Sequence, residues 1–167
     1  MAEKQSIGKT SIGYEGLFNV FELYKILDDW QKKNNYDKTE KESIEYIKPE
    51  GKYIELHLEP YRKESDYVKF VIKIDITMEN VKETVVEIDD EKKNMHEGKV
   101  SIDMEAWLET DYEGTWQMKP GIYFLRILVD KYIYKIYTGK FSSALKKEFD
   151  QLSAQVKSFL NLYKYQH

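Results

Sequence analysis

From residue 40 to residue 110 the chain alternates apolar and charged residues with period two, and after Pro120 the rhythm changes. A dense apolar stretch beginning at Gly121 gives way to apolar residues recurring every three or four, out to Tyr163. Alternation marks strands that turn one face to a core, and the longer period marks an amphipathic helix. Together they predict an α+β fold: a curved antiparallel meander sheet packed on a long C-terminal amphipathic helix, with one N-terminal helix.

The predicted elements can be placed along the chain. A short strand is expected from Lys4 to Tyr14, carrying Ile7 and Ile12. Asn19 followed three residues later by Glu22 is a capping-box variant, with Phe18 and Leu23 at the positions of a hydrophobic staple. Val20, Leu23, Tyr24, Leu27 and Trp30 then form an apolar stripe, and Asn34-Asn35 can supply the left-handed residue that ends the helix. Ile44 and Tyr46 share a strand face. Lys48-Pro49-Glu50-Gly51 reads as a hairpin turn, and Ile54, Leu56 and Leu58 point inward after it. Glu64-Ser65-Asp66 makes a corner before the clearest strand, in which Phe70, Ile72, Ile74, Ile76 and Met78 share the inner face. Val71 breaks the outer pattern, so part of that face is expected to be covered too. Glu79-Asn80 reads as a turn into Val86 and Ile88, and Asp89 to Gly98 as a charged loop. Val100, Ile102, Met104, Ala106 and Leu108 face inward on the last strand. These make five strands in a meander. Asp111 to Pro120 reads as a linker, Gly121 to Tyr137 as a helix with another strand as the second reading, and Thr138-Gly139 can supply a break or kink. The final stripe is Phe141, Leu145, Phe149, Leu152, Val156, Phe159 and Tyr163. All of this forms a single domain, 1–167: strand and helix in 1–36, meander in 40–110, C-terminal helical segment in 121–165.

The order strand, helix, antiparallel meander, long final helix is similar to the helix-grip fold of the START and Bet v 1 superfamily. The resemblance covers most of the chain and lies in element order. It implies a curved sheet wrapped around the last helix with an apolar cavity between them. The chain departs from that plan in showing five strands after its first helix, in having no second helix between Asn35 and Thr39, and in matching no glycine-rich loop.

Composition narrows the function classes. Of 167 residues, 41% are hydrophobic and 34% charged, as in a globular chain. There is no cysteine, so disulfides and thiolate chemistry are excluded, and a zinc site would have to draw on His57, His96, His167 and carboxylates. Of the 26 cations, only Arg62 and Arg126 are arginine. Lysine is a hydrated point charge without arginine's planar fork, and a net charge of −4 repels a polyanion. Nucleic acid is therefore disfavoured as a partner. Met1 to Thr10 is polar and shows no secretory signal, and the apolar run Ile122 to Val129, interrupted by Arg126, falls short of the roughly 20 residues a membrane span needs. A cytoplasmic location without a membrane span is the expectation.

No catalytic motif is present. Glu55, His57 and Glu59 alternate on one strand face, as do Asp103, Glu105 and, further along, Glu109. Either set could move protons, but parity places both on the solvated side of the sheet. Asp89-Asp90-Glu91 lacks calcium-loop spacing, Gly8 and Gly13 belong to no phosphate-binding pattern, and no serine has a nucleophile-elbow context. Neither a cofactor nor a metal site is expected. Trp107 faces outward by parity beside Tyr112, Trp116 and Met118, an aromatic corner that can dock a partner or be covered by the chain itself.

The leading expectation is a non-enzymatic binding protein holding a small apolar ligand between sheet and C-terminal helix. Leu56, Phe70, Ile72, Ile74, Ile102, Met104 and Phe149 are the expected lining. The alternative is a protein-interaction or self-assembling module, a homo-oligomer included, using the C-terminal helix and the Trp107–Trp116 corner. An enzyme ranks third.

Overall fold

The structure is a computed structural model that describes residues 3–65, 67–110 and 134–162. It is α+β: β1 (Glu3–Phe18), α1 (Val20–Lys33), β2 (Glu40–Lys48), β3 (Gly51–Leu58), β4 (Tyr61–Lys63), β5 (Val68–Ile88), β6 (Glu91–Thr110) and α2 (Tyr134–Asn161). The six strands form one antiparallel sheet, curved but not closed, in the order β1-β6-β5-β3-β2, with β4 also on β5. Strands β2, β3, β5 and β6 run as a meander, with two of the five expected strands joined in β5 and the short β4 unexpected, and β1 returns to pair with β6. Tyr112, Trp116, Met118 and Tyr163 lie outside the described residues, as do the linker Asp111 to Pro120 and most of the Gly121 to Tyr137 segment.

Four expectations are corrected. Glu79-Asn80 is not a turn but a bulge inside the 21-residue strand β5, where the register with β6 shifts between Glu79 and Lys82. Asp89 to Gly98 is not a loop: only Asp89-Asp90 turn, at φ 52° and 64°, and Glu91 already opens β6. Two consecutive left-handed residues are what a two-residue type I′ hairpin demands, and aspartate tolerates that region. The first strand continues past Tyr14 to Phe18. Helix α2, 28 residues and about 42 Å long, runs through Thr138-Gly139 without a break.

Proline explains the extra short strand. Pro60 has no N–H to give the sheet, yet its carbonyl accepts from Ile72 N–H at 3.0 Å, and β4 resumes the register of β3 on the same edge of β5. At the bulge, backbone proximity explains two glycines. A Cβ on Gly51 would lie 2.7 Å from the Asn80 carbonyl carbon, and one on Gly98 would lie 3.0 Å from the Glu79 carbonyl oxygen. Asn80 itself sits at φ 56°. The bulge thus sits in β5 between a glycine on either neighbouring strand.

The core lies on one face of the sheet, under both helices. Phe70, Ile72, Ile74, Ile76 and Met78 of β5 and Val100, Ile102, Met104, Ala106 and Leu108 of β6 are buried there. Leu145, Phe149, Leu152, Val156, Phe159 and Leu160 of α2 and Val20, Leu23, Leu27 and Trp30 of α1 join the same cluster. Ile7 and Ile12, five residues apart, fall on opposite parities. A bulge between Ser6 and Gly8 absorbs the extra residue, so Ile7 still packs against the core. Val71, on the other face, is only 3% exposed between Tyr61 and Trp107, its cross-strand neighbours, as its break in the outer pattern foretold.

Candidate functional site

Helix α1 starts where the capping argument put it. Asn19 Oδ1 accepts from the N–H groups of Phe21 (3.0 Å) and Glu22 (3.2 Å), and Phe18 and Leu23 are both fully buried. Asn35, at φ 59°, turns the chain out of the helix. Between these ends the inward stripe is Val20, Leu23, Leu27, Trp30 and Gln31. The last of these is polar, and it stands over a cavity.

That cavity, of about 230 Å³, lies between α1 and the β2–β3 edge of the sheet. Leu27, Leu56 and Leu58 give it apolar walls; Tyr24, Asp28, Gln31, Lys38 and Ser43 complete the lining. At the rim Asp28 is engaged by Lys32 at 2.8 Å and Lys38 at 3.5 Å, and the hydrogen bond from Lys32 draws its carboxyl below the usual range. Deeper in, Gln31 is only 3% exposed and its Oε1 has no hydrogen-bond partner among the described residues. The Trp30 indole Nε1, beside it on the inward stripe, is likewise buried without a partner among the described residues.

Of the seven residues expected to line a ligand site, Leu56 borders this cavity. Phe70, Ile72, Ile74, Ile102, Met104 and Phe149 sit in the packed core, each at most 2% exposed. The opening is thus beside α1, on the flank of the core away from the expected sheet–α2 space. Glycine explains the tight seating of α2: the inner face of β1 and β6 there is Gly8 opposite Ala106, small enough for the Phe149 ring to lie against the sheet.

On the outer face, parity was right and partnership was not legible. His57 does not work with Glu55 and Glu59: its Nδ1 lies 2.6 Å from Asp75 Oδ1 across the strand pair, while Nε2 is 4.0 Å from Glu55. Glu55 instead accepts from the Tyr53 hydroxyl at 2.6 Å, which pushes the phenol up to about 12. Asp103 accepts from Ser11 Oγ, and Glu105 from Trp107 and Ser6, which hold the Glu105 carboxyl below its usual range. Trp107 is half-buried, with Lys4 Nζ 5.2 Å from its ring. Among the described residues, no group of three or more His, Asp or Glu could hold a metal ion.

Two polar clusters that the sequence did not reveal hold the ends of α1. At its start, the Val20 N–H donates to His96 Nδ1 at 3.2 Å, and Asn19 Nδ2 donates to the Asn94 carbonyl at 3.3 Å. Burial lowers the His96 pKa, and acceptance at Nδ1 fixes the neutral tautomer with its proton on Nε2. At its end, Arg62 donates through Nη1 to the Asn34 carbonyl (2.6 Å), through Nη2 to Glu148 Oε1 of α2 (3.0 Å), and through Nε to Glu64. Glu148 Oε2 also accepts from the Tyr36 hydroxyl at 2.7 Å, and burial followed by that bond raises the phenol's pKa strongly. The guanidinium lies 4.9 Å from the Tyr36 ring centroid. The one available signal was the rarity of arginine, and for Gln31 a polar residue four positions after Leu27 in an apolar stripe.

Compared with known protein families, the chain matches no family model, and no curated protein sequence matches it.

Proposed function

We propose that this protein is a non-enzymatic binding module, cytoplasmic, that holds a small, largely apolar molecule between α1 and the β2–β3 edge of its sheet. The observation that carries the reading is the cavity walled by Leu27, Leu56 and Leu58, with the polar side chains of Tyr24, Gln31 and Ser43 among its lining. Ligand sites are concave and mostly apolar, with a few placed polar groups, and this one has that composition at a size just below the usual range. No described helix is long and apolar enough to cross a membrane.

The test is methyl-resolved NMR of leucine-labelled protein titrated with benzene, anisole and phenol. Saturable shifts at Leu27, Leu56 and Leu58, absent at Leu145 and Leu152 in α2, are expected. If no probe moves those three leucines at millimolar concentration, the binding reading is wrong.

A further inference from the structure

We infer that the outer edge of β2 is an interface between two copies of this chain. Residues 42–48 pair antiparallel with the same residues of a second copy, about a two-fold axis at Glu45, and join the two sheets edge to edge. The inference is independent of the binding reading above.

The edge is open and regular. Strand β2 pairs with β3 along one side, and no described strand pairs with its other side. Residues 42–48 hold no glycine, proline or bulge, whereas β1, at the opposite edge of the sheet, is interrupted by the bulge between Ser6 and Gly8 and by Gly13 and Gly16. A flat, uninterrupted edge is a template for another strand. This edge also exposes apolar surface: Ile47 is 84% and Tyr46 56% exposed, on opposite faces of the strand. The charges of Glu42, Glu45 and Lys48 deter a strand that does not match them, and the strand that matches them is β2 itself. A two-fold axis at Glu45 sets Ile44 opposite Tyr46, Ser43 opposite Ile47 and Glu42 opposite Lys48, each pairing occurring twice. In that register no apolar side chain faces a charge. An axis at Ile44 would set Tyr46 against Glu42, and one at Tyr46 would set Ile44 against Lys48 and Ile47 against Glu45. The two Glu45 side chains do meet across the axis, but Lys52 Nζ of the same copy lies 3.4 Å from each carboxylate.

The chain has no cysteine, so single-cysteine variants report the register directly. Under mild oxidation at millimolar concentration, Glu45→Cys should form a disulfide-linked dimer, because residues directly opposite bring their Cβ atoms to about 5 Å. Ser43→Cys and Ile47→Cys should each stay monomeric, their like cysteines being offset by about 13 Å along the strands, while a mixture of the two should cross-link. Sedimentation equilibrium of the native protein should show a reversible monomer–dimer equilibrium. Lys48→Glu sets like charges opposite each other at two places and should weaken the dimer about tenfold, and adding Glu42→Lys to it should restore the affinity. A native protein that is monomeric at millimolar concentration would overturn the inference and leave the edge to a strand of another protein. A dimer that Lys48→Glu does not weaken would place the contact on another surface and overturn it equally. So would cross-linking of Ser43→Cys or Ile47→Cys alone as fast as Glu45→Cys, since all three positions are exposed and random collision would then explain the product.

Discussion

At Gly8 the C-terminal helix packs directly on the sheet, and a single methyl group there tests the packing. A Cβ at Gly8 would stand 2.9 Å from both Cδ1 and Cε1 of Phe149, with Lys146 Cδ at 3.8 Å. Real Cβ atoms do not come that close, so the ring must move, and it is 2% exposed with core side chains around it. Overpacking of this kind costs about 1–3 kcal/mol. Against that, the strand backbone at Gly8 is not left-handed, so alanine should recover about 0.4–1 kcal/mol from the unfolded chain. The clash wins: Gly8→Ala should destabilise by about 1 kcal/mol net and lower Tm by about 3 °C in a chain of this length. In a Phe149→Ala background the ring is gone and the sign should invert, the methyl now filling part of the hole. Urea unfolding of the four proteins in the cycle measures the coupling, expected at about 1–3 kcal/mol. Phe149→Ala alone should cost about 3–5 kcal/mol, which a domain stable by 5–15 kcal/mol tolerates. Equal effects of Gly8→Ala in the two backgrounds would refute the claim that α2 is seated through this contact.

Two further outcomes follow from the ends of α1. Because burial lowers the His96 pKa, the unfolded chain takes up a proton near pH 6.5 before the folded one does. The contribution is complete above pH 6.5 and is lost as pH falls from there through the lower folded value. The urea midpoint should therefore drop between pH 7 and pH 5, and His96→Gln, which cannot titrate, should flatten that slope; an unchanged slope would clear His96 of the role. Lys52 of β3 disfavours the imidazolium and Glu83 of β5 favours it, so Glu83→Gln should steepen the loss. At the other end, Arg62→Lys keeps the charge but can satisfy one of three acceptors. It should cost about 2–3 kcal/mol in urea unfolding, whereas Tyr36→Phe should cost about 1 kcal/mol because Glu148 keeps its arginine. Equal losses for the two would mean that the fork geometry is irrelevant.

What the sequence made legible was whatever depends on neighbours along the chain. Parity alone placed Phe70 to Met78 and Val100 to Leu108 inside, and the stripe from Phe141 to Phe159 marked the buried side of α2. Asn19 announced the helix start. Two of the misreadings concern residues whose meaning is set across the sheet. Asn80 resembles a turn residue because it does adopt a left-handed conformation, but the ladder continues on both sides of it. The charges from Asp89 to Gly98 looked like a loop because that part of the hairpin is largely solvated, which composition cannot distinguish from coil. The partnership of His57 with Asp75 spans 18 residues and that of Arg62 with Glu148 spans 86, beyond any spacing rule. The cavity is illegible for the same reason: Leu27 and Leu56 are ordinary core residues until the helix and the strand diverge around them.

The two clusters at the ends of α1 also bear on why a cavity survives there. An unfilled space beside leucines tends to collapse when the helix above it can shift, because closing the gap recovers contacts. Here the helix is tied at its first turn to His96 and Asn94 of β6, and at its last to Arg62 of β4, which is in turn tied to Glu148 of α2. Settling toward Leu56 and Leu58 would stretch bonds at both ends, and His96, Asn34 and Arg62 would leave buried or half-buried groups behind. The middle of α1, from Tyr24 to Gln31, is thus held off the sheet edge by its ends. A space kept open in this way would cost an entering molecule little reorganisation of the protein.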